Sequence, residues 1–161
     1  MATDALRLLH DDVDREAAAV AAKHGERLRC ARGCSDCCVD DLTVFEVEAD
    51  AIREAYGSLL AEELPHPAGG CAFLDGEGAC RVSVARPYVC RTQGLPLRWF
   101  GDEGEYRDIC PLNEPGGPAL TALPEEACWT IGPFEGRLSE LQQARGPRGA
   151  RVALRSLFRL S

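Results

Sequence analysis

Eight of the nine cysteines in this chain lie between residues 30 and 110, as a dense run, Cys30-x3-Cys34-x2-Cys37-Cys38, and four spaced returns, Cys71, Cys80, Cys90 and Cys110. Thiolates are the softest side-chain ligands a protein has, so such a set points to zinc, an iron–sulfur cluster or copper(I). It also limits the fold. The stretch from Pro65 to Gly78 is crowded with Gly and Pro, and aromatic residues make up only 6% of the chain. Apolar burial alone would hold such a centre poorly, and bound metal supplies order where a core cannot.

With 161 residues, the chain is long enough for one domain with a modest core. A formal charge of −8 argues against nucleic acid as a partner, because neutralising phosphates takes a basic surface. The N-terminal stretch has no basic region leading into an apolar run, and no window approaches the length that spans a bilayer. A cytoplasmic protein with no membrane partner is expected. Cytosolic reductants keep thiols reduced, and an odd cysteine count leaves one unpaired, so a metal framework is preferred to a disulfide scaffold.

The expected fold class is α-rich, with small irregular or β elements: helices at both ends flank a loop-rich centre stapled by metal. Residues 1–29 are read as an N-terminal helix, 30–113 as the cysteine-cluster region and 114–161 as a C-terminal helical region, all within one compact domain. Leu6, Leu9, Val13, Ala17, Val20 and Leu28 recur at helical spacing, with Thr3 or Asp4 as a cap. A second helix is expected from Thr43 to Leu60 with Gly57 near its end, its acids Glu46, Glu48 and Asp50 either complementing the helix dipole, the preferred reading, or supplying a carboxylate that ligates or supports a metal. Short strands or turns are expected around Val82 to Val84 and Leu95 to Phe100, the latter followed by a turn at Gly101-Asp102-Glu103-Gly104. A surface loop is expected at Glu114 to Pro118 and a helical turn from Pro124 to Trp129, then two tail helices interrupted by Gly146-Pro147.

Four thiolates complete one tetrahedral zinc site, so eight fit two such sites by count. They equally fit one four-cysteine iron–sulfur cluster with the remaining thiols structural. The adjacent pair Cys37-Cys38 suggests two neighbouring sites, or one ligand beside one structural thiol, since neighbouring side chains diverge. Arg29, Arg32, Arg81, Arg86 and Arg91 flank the cysteines and are expected to offset thiolate charge. Of the three histidines, His10 and His24 fall on the first helix, and His66, between two prolines, is the best substitute ligand. Cys128, beside Trp129, reads as a small buried hydrophobe. No P-loop or G-x-G-x-x-G is present, and no thiol is marked by a paired base as a nucleophile.

The dense run, then Cys71-Ala-Phe-Leu-Asp-Gly-Glu-Gly-Ala-Cys80, then Arg86-Pro87-Tyr88-Val89-Cys90-Arg91, resembles the YkgJ family of bacterial cysteine-cluster proteins, also called CxxCxxCC, a zinc- or iron-chelating domain. Arg91 to Pro96 and Cys110-Pro111-Leu112-Asn113 resemble extensions of some members. The first cysteine gap here is three residues where the family name has two, and Ser83 stands where members often have Tyr. The resemblance implies metal chelation by cysteines drawn from Cys30, Cys34, Cys37, Cys38, Cys71, Cys80, Cys90 and Cys110. A related cysteine region occurs in flagellin lysine methylases thought to carry an iron–sulfur cluster.

The expected function is therefore zinc or iron binding without catalysis, in metal handling or as an accessory to a protein partner. The alternatives are an iron–sulfur protein, with a [4Fe-4S] cluster serving redox or radical chemistry, and a structural zinc module that binds another protein.

Overall fold

The computed structural model describes residues 2–146 and 151–160, which are mostly helical with small sheets. They divide into two compact units, each assembled from separated stretches of chain. One unit holds residues 31–87 and 139–161 with the first six residues; the other holds 7–30 and 88–138.

Helix α1 spans Ala2–Ala21. It buries Leu6, Leu9, Val13 and Ala17, the i, i+3, i+4 stripe that its periodicity predicts. The helix starts before Thr3, whose side chain lies outside the described residues, and Asp4 falls in the first turn. His10 is buried on this helix and has a partner. After Ala21 the chain turns through a short 3-10 segment, Gly25–Arg27, and continues irregularly to Cys30.

In the first unit the residues expected to begin a helix at Thr43 instead form strand β1 (Thr43–Phe45). β1 pairs antiparallel with β5 (Arg151–Ala153), setting Val44 opposite Val152, and cross-strand pairing of β-branched residues favours that outcome. Helix α2 (Glu46–Ala55) follows directly without a side-chain cap of its own. Its first turn is satisfied from α5 (Pro133–Ala144): the buried Gln142 Oε1 accepts the Val47 N–H at 2.9 Å. Gly57 opens a separate helix, α3 (Gly57–Glu62), rather than closing α2. Of the short strand or turn expected near Val82–Val84, the chain forms the turn, a 3-10 segment at Ser83–Ala85.

The second expected tail helix is absent among the described residues, and β5 followed by a 3-10 turn, Leu154–Leu157, takes its place. Pro147 of the expected interruption lies outside the described residues. Ile52, Leu60, Phe73, Val82, Leu154 and Phe158 form the core of this unit, with the Phe73 and Phe158 rings 5.1 Å apart.

In the second unit the strand and turn expected at 95–104 are present as β2 (Leu97–Gly101) and a two-residue Asp102-Glu103 loop, and β3 (Gly104–Asp108), which the sequence reading did not include, completes a hairpin. Strand β4 (Trp129–Thr130) joins β2 in parallel. Helix α4 (Tyr88–Arg91) is one turn long. Pro124 precedes a 3-10 turn, Glu125–Ala127, that stops short of Trp129. The Glu114–Gly116 loop is exposed and pinned by the buried Arg27, whose guanidinium donates to the carbonyls of Asn113, Glu114 and Pro118 at 2.8, 2.9 and 2.9 Å. Among the described residues no helix is long and apolar enough to cross a membrane.

Candidate metal centre

The first unit carries Cys34, Cys37, Cys38, Cys71 and Cys80. Two tight turns fold the dense run: the Cys34 N–H donates to the Ala31 carbonyl at 3.0 Å, and the Cys38 N–H to the Ser35 carbonyl at 2.9 Å. Gly33, at φ 90, and Asp41, at φ 60, take left-handed conformations that such bends require. Cys71 and Cys80 flank a short hairpin. Leu74 bridges Cys80, the Arg81 N–H donates to the Phe73 carbonyl, and Asp75 Oδ1 accepts the N–H groups of Glu77 and Ala79. Those two bonds hold the Asp75 carboxyl below its usual range.

Backbone contacts bring the run and the hairpin together. The Cys71 N–H donates to the Cys38 carbonyl at 2.9 Å. At the tip, a Cβ on Gly78, which sits at φ 77, would lie 3.1 Å from the Gly33 carbonyl oxygen, so a larger residue there would strain the turn and push the two loops slightly apart. Three other thiols consequently bear on Cys38. Cys38 is pushed up to about 12, first by burial, then by the charges of Cys37, Cys71 and Cys80 and a hydrogen bond with Cys37. Cys71 is also raised: burial is the largest cause, Cys80 and Asp40 add to it, and the Phe73 N–H and Arg155 oppose it.

Arg155 is a residue the sequence did not mark. Its guanidinium donates to Asp40 Oδ1 at 3.0 Å and to the carbonyls of His66 and Gly70 at 2.6 and 2.9 Å. It thereby ties the Pro-rich strap before Cys71 to the residue two beyond Cys38. Asp40 also accepts the Gly69 N–H at 2.9 Å, and its carboxyl is held low by that bond first and Arg155 later. No local pattern links residue 155 to residue 71, so only folding could reveal it.

Two of the arginines beside the cysteines have partners of other kinds. Arg81 reaches Glu63 and the Leu64 and Ala72 carbonyls, and lies over the Phe158 ring. Arg91 reaches Asp14 at 2.6 Å. The expected acids of α2 also have structural partners: Asp50 pairs with Arg53 and Arg145, and Glu48 is buried and partnered. The His66 ring packs where a Cβ on Gly70 would lie.

The second unit carries Cys30, Cys90, Cys110 and Cys128. Cys90 sits on α4, and Cys110 opens a turn closed by the Asn113 N–H at 2.8 Å. Asn113 is 1% exposed. Its Nδ2 donates to the Gly94 carbonyl at 2.8 Å and to Cys30 Sγ at 3.5 Å, and its Oδ1 accepts the Arg29 N–H. Gly94, at φ 89, leaves room for that sulfur, and a Cβ there would collide with it. Cys128 is buried in a small cluster with Leu123 and Ala127, as expected. Arg107 Nη1 donates to its sulfur at 3.7 Å, while burial raises the thiol. The His24 ring is engaged with the Ala127 carbonyl at 2.6 Å.

Among the described residues no three His, Cys, Asp or Glu side chains converge on one point as a finished metal cage, and none of the nine cysteines is in a disulfide. The donor set nonetheless fits a soft cation. Four half-buried sulfurs that repel one another as thiolates are relieved by a dication or a cationic cluster.

Residues 29–110 match the CxxCxxCC family, described as "Putative zinc- or iron-chelating domain". No curated protein and no solved structure matches the chain.

Proposed function

The chain belongs to the CxxCxxCC family of zinc- or iron-chelating domains, and from that premise we propose that Cys37, Cys38, Cys71 and Cys80 hold its metal in a non-catalytic site. One observation carries the assignment: a thiol that feels three other thiols, Cys38, is joined to Cys71 through its own backbone carbonyl. Cys34, on the preceding turn, is the reserve ligand. Such a cation would replace the protons of four thiols and lock the run onto the hairpin, coupling metal to the order of the loops. A closed set of four sulfurs leaves no coordination position for substrate, which suits metal handling or support of a partner protein.

Cys30, Cys90 and Cys110 belong to the same ligand pool in the sequence, and their contribution is decided by stoichiometry. The test is metal and acid-labile sulfide content with a visible spectrum, on protein purified without oxygen. About one zinc per chain, with no visible band, supports the closed site. About four irons with sulfide and absorption at roughly 400 nm replaces it with an iron–sulfur reading and turns attention to redox or radical chemistry. Absence of both metals from the purified protein, with no uptake on reconstitution, overturns the proposal.

A further inference from the structure

The second unit contains a cavity of about 480 Å³ that holds none of the eight framework cysteines. Its volume is in the range of sites that take small molecules. Its lining includes the apolar Val20, Trp129, Pro133 and Phe134 together with the exposed acids Glu16, Glu125 and Glu126. The Trp129 and Phe134 rings stack 5.2 Å apart. They are held from behind by a Trp129 Nε1–Tyr88 Oη–Glu135 chain of hydrogen bonds at 2.9 and 2.6 Å. This ring pair is therefore preformed.

Arg98 also lines this cavity, and its side chain is 7% exposed. Nη1 donates to Thr130 Oγ1 at 3.0 Å. Nη2 is divided between Glu105 and Glu125, each at a long 3.3 Å. Nε is buried and meets no acceptor among the described residues. The Nε–Nη2 edge is the fork that receives a carboxylate through two parallel hydrogen bonds. Here that fork is half empty, and an unpaired buried donor carries a real cost. Glu125, the weaker occupant, has a side chain 71% exposed, so an incoming carboxylate can displace it into water.

We propose that this cavity binds a small zwitterion with an apolar side chain, an α-amino acid of the phenylalanine or leucine kind. The ligand carboxylate takes the Nε–Nη2 edge of Arg98. The ammonium faces the carboxylates of Glu16 and Glu126, which would repel a simple dianion. The side chain packs on Trp129, Phe134 and Val20. Each part of the ligand answers a separate feature of the cavity, so each is tested separately.

The experiment is calorimetric titration of the full chain, with the Trp129 indole N–H followed by NMR, using L-phenylalanine, 3-phenylpropionate and phenethylamine as probes. L-phenylalanine is expected to bind saturably at one site and to shift the Trp129 signal. Each analogue lacks one charge and is expected to bind at least about tenfold more weakly, the loss of one charge-assisted contact. Arg98→Lys keeps the cation but removes the fork, and should cost L-phenylalanine about the same factor. If that variant does not fold, Glu126→Gln serves instead: it should weaken L-phenylalanine and phenethylamine but not 3-phenylpropionate. No saturable L-phenylalanine binding at millimolar concentration overturns the proposal, as does phenethylamine binding as tightly as the amino acid. The cavity and the thiol quartet share no residue, so failure here leaves the metal assignment untouched.

Discussion

The cysteines of the two units are held in opposite ways. In the first unit Cys37, Cys71 and Cys80 are set within electrostatic reach of Cys38, and their charges help push it up to about 12 after burial has done the most. In the second, two sulfurs each receive a hydrogen bond from a nitrogen donor: Cys30 from Asn113 and Cys128 from Arg107. One residue type thus supplies a charge-frustrated cluster that a cation would relieve, and thiols tethered by polar donors. Counting cysteines treats the two as equal. Their surroundings separate them.

Substitution of Cys38 breaks the comparison most sharply. Cys38→Ser should reduce bound metal towards zero and lower the melting temperature by on the order of 10 °C, since loss of a structural metal costs several kcal/mol in a chain of this size. Metal analysis and calorimetry on the same sample check both. A strong chelator applied to the wild-type chain should reproduce the effect and expose the Cys71 N–H to hydrogen exchange, because its bond to the Cys38 carbonyl joins run and hairpin.

Asn113→Ala comes next. It strands the Arg29 N–H and the Gly94 carbonyl and removes the donor to Cys30, for an expected loss of about 2–3 kcal/mol in denaturant melts. Gly94→Ala should cost about 1–2 kcal/mol, from the positive φ and the crowding of Cys30. The exposed Cys30 sulfur can rotate away, which limits the damage. Smallest is Cys128→Ser, at roughly 1 kcal/mol or less, because the hydroxyl keeps an acceptor for Arg107 while losing some apolar burial. Its metal content should equal that of the wild type. Equal metal in Cys38→Ser and Cys128→Ser would sink the quartet, and a Cys90→Ser variant that halves a two-metal count would extend the ligand set to the second unit.

Several elements were readable before folding. The α1 stripe, strand β2 with the Asp102-Glu103 turn after it, and the buried character of Cys128 each rest on neighbours within a few residues. Where the reading failed, the deciding partner was distant. Thr43 to Phe45 became a strand because residues 151–153 pair with it, and α2 starts at Glu46 with Gln142 satisfying the Val47 N–H. The chain beyond residue 150 became strand and 3-10 turn for the same reason. Arg155, distant from Cys71 along the chain, is a cation that opposes the rise of the Cys71 thiol, and nothing near the cysteines in sequence marked it.

The sequence by itself determined the chemistry: eight cysteines in that order place the chain in a metal-chelating family, because ligand softness and spacing are properties of residues and need no fold to be read. Tertiary structure alone decided which thiols are neighbours, which sulfurs are tethered by Asn113 and Arg107, and how Arg98 comes to line a cavity with its Nε unmatched. Those outcomes depend on contacts between residues tens of positions apart. Such contacts are set by the closing of loops and the burial of shared apolar surface, which no local pattern of residues encodes.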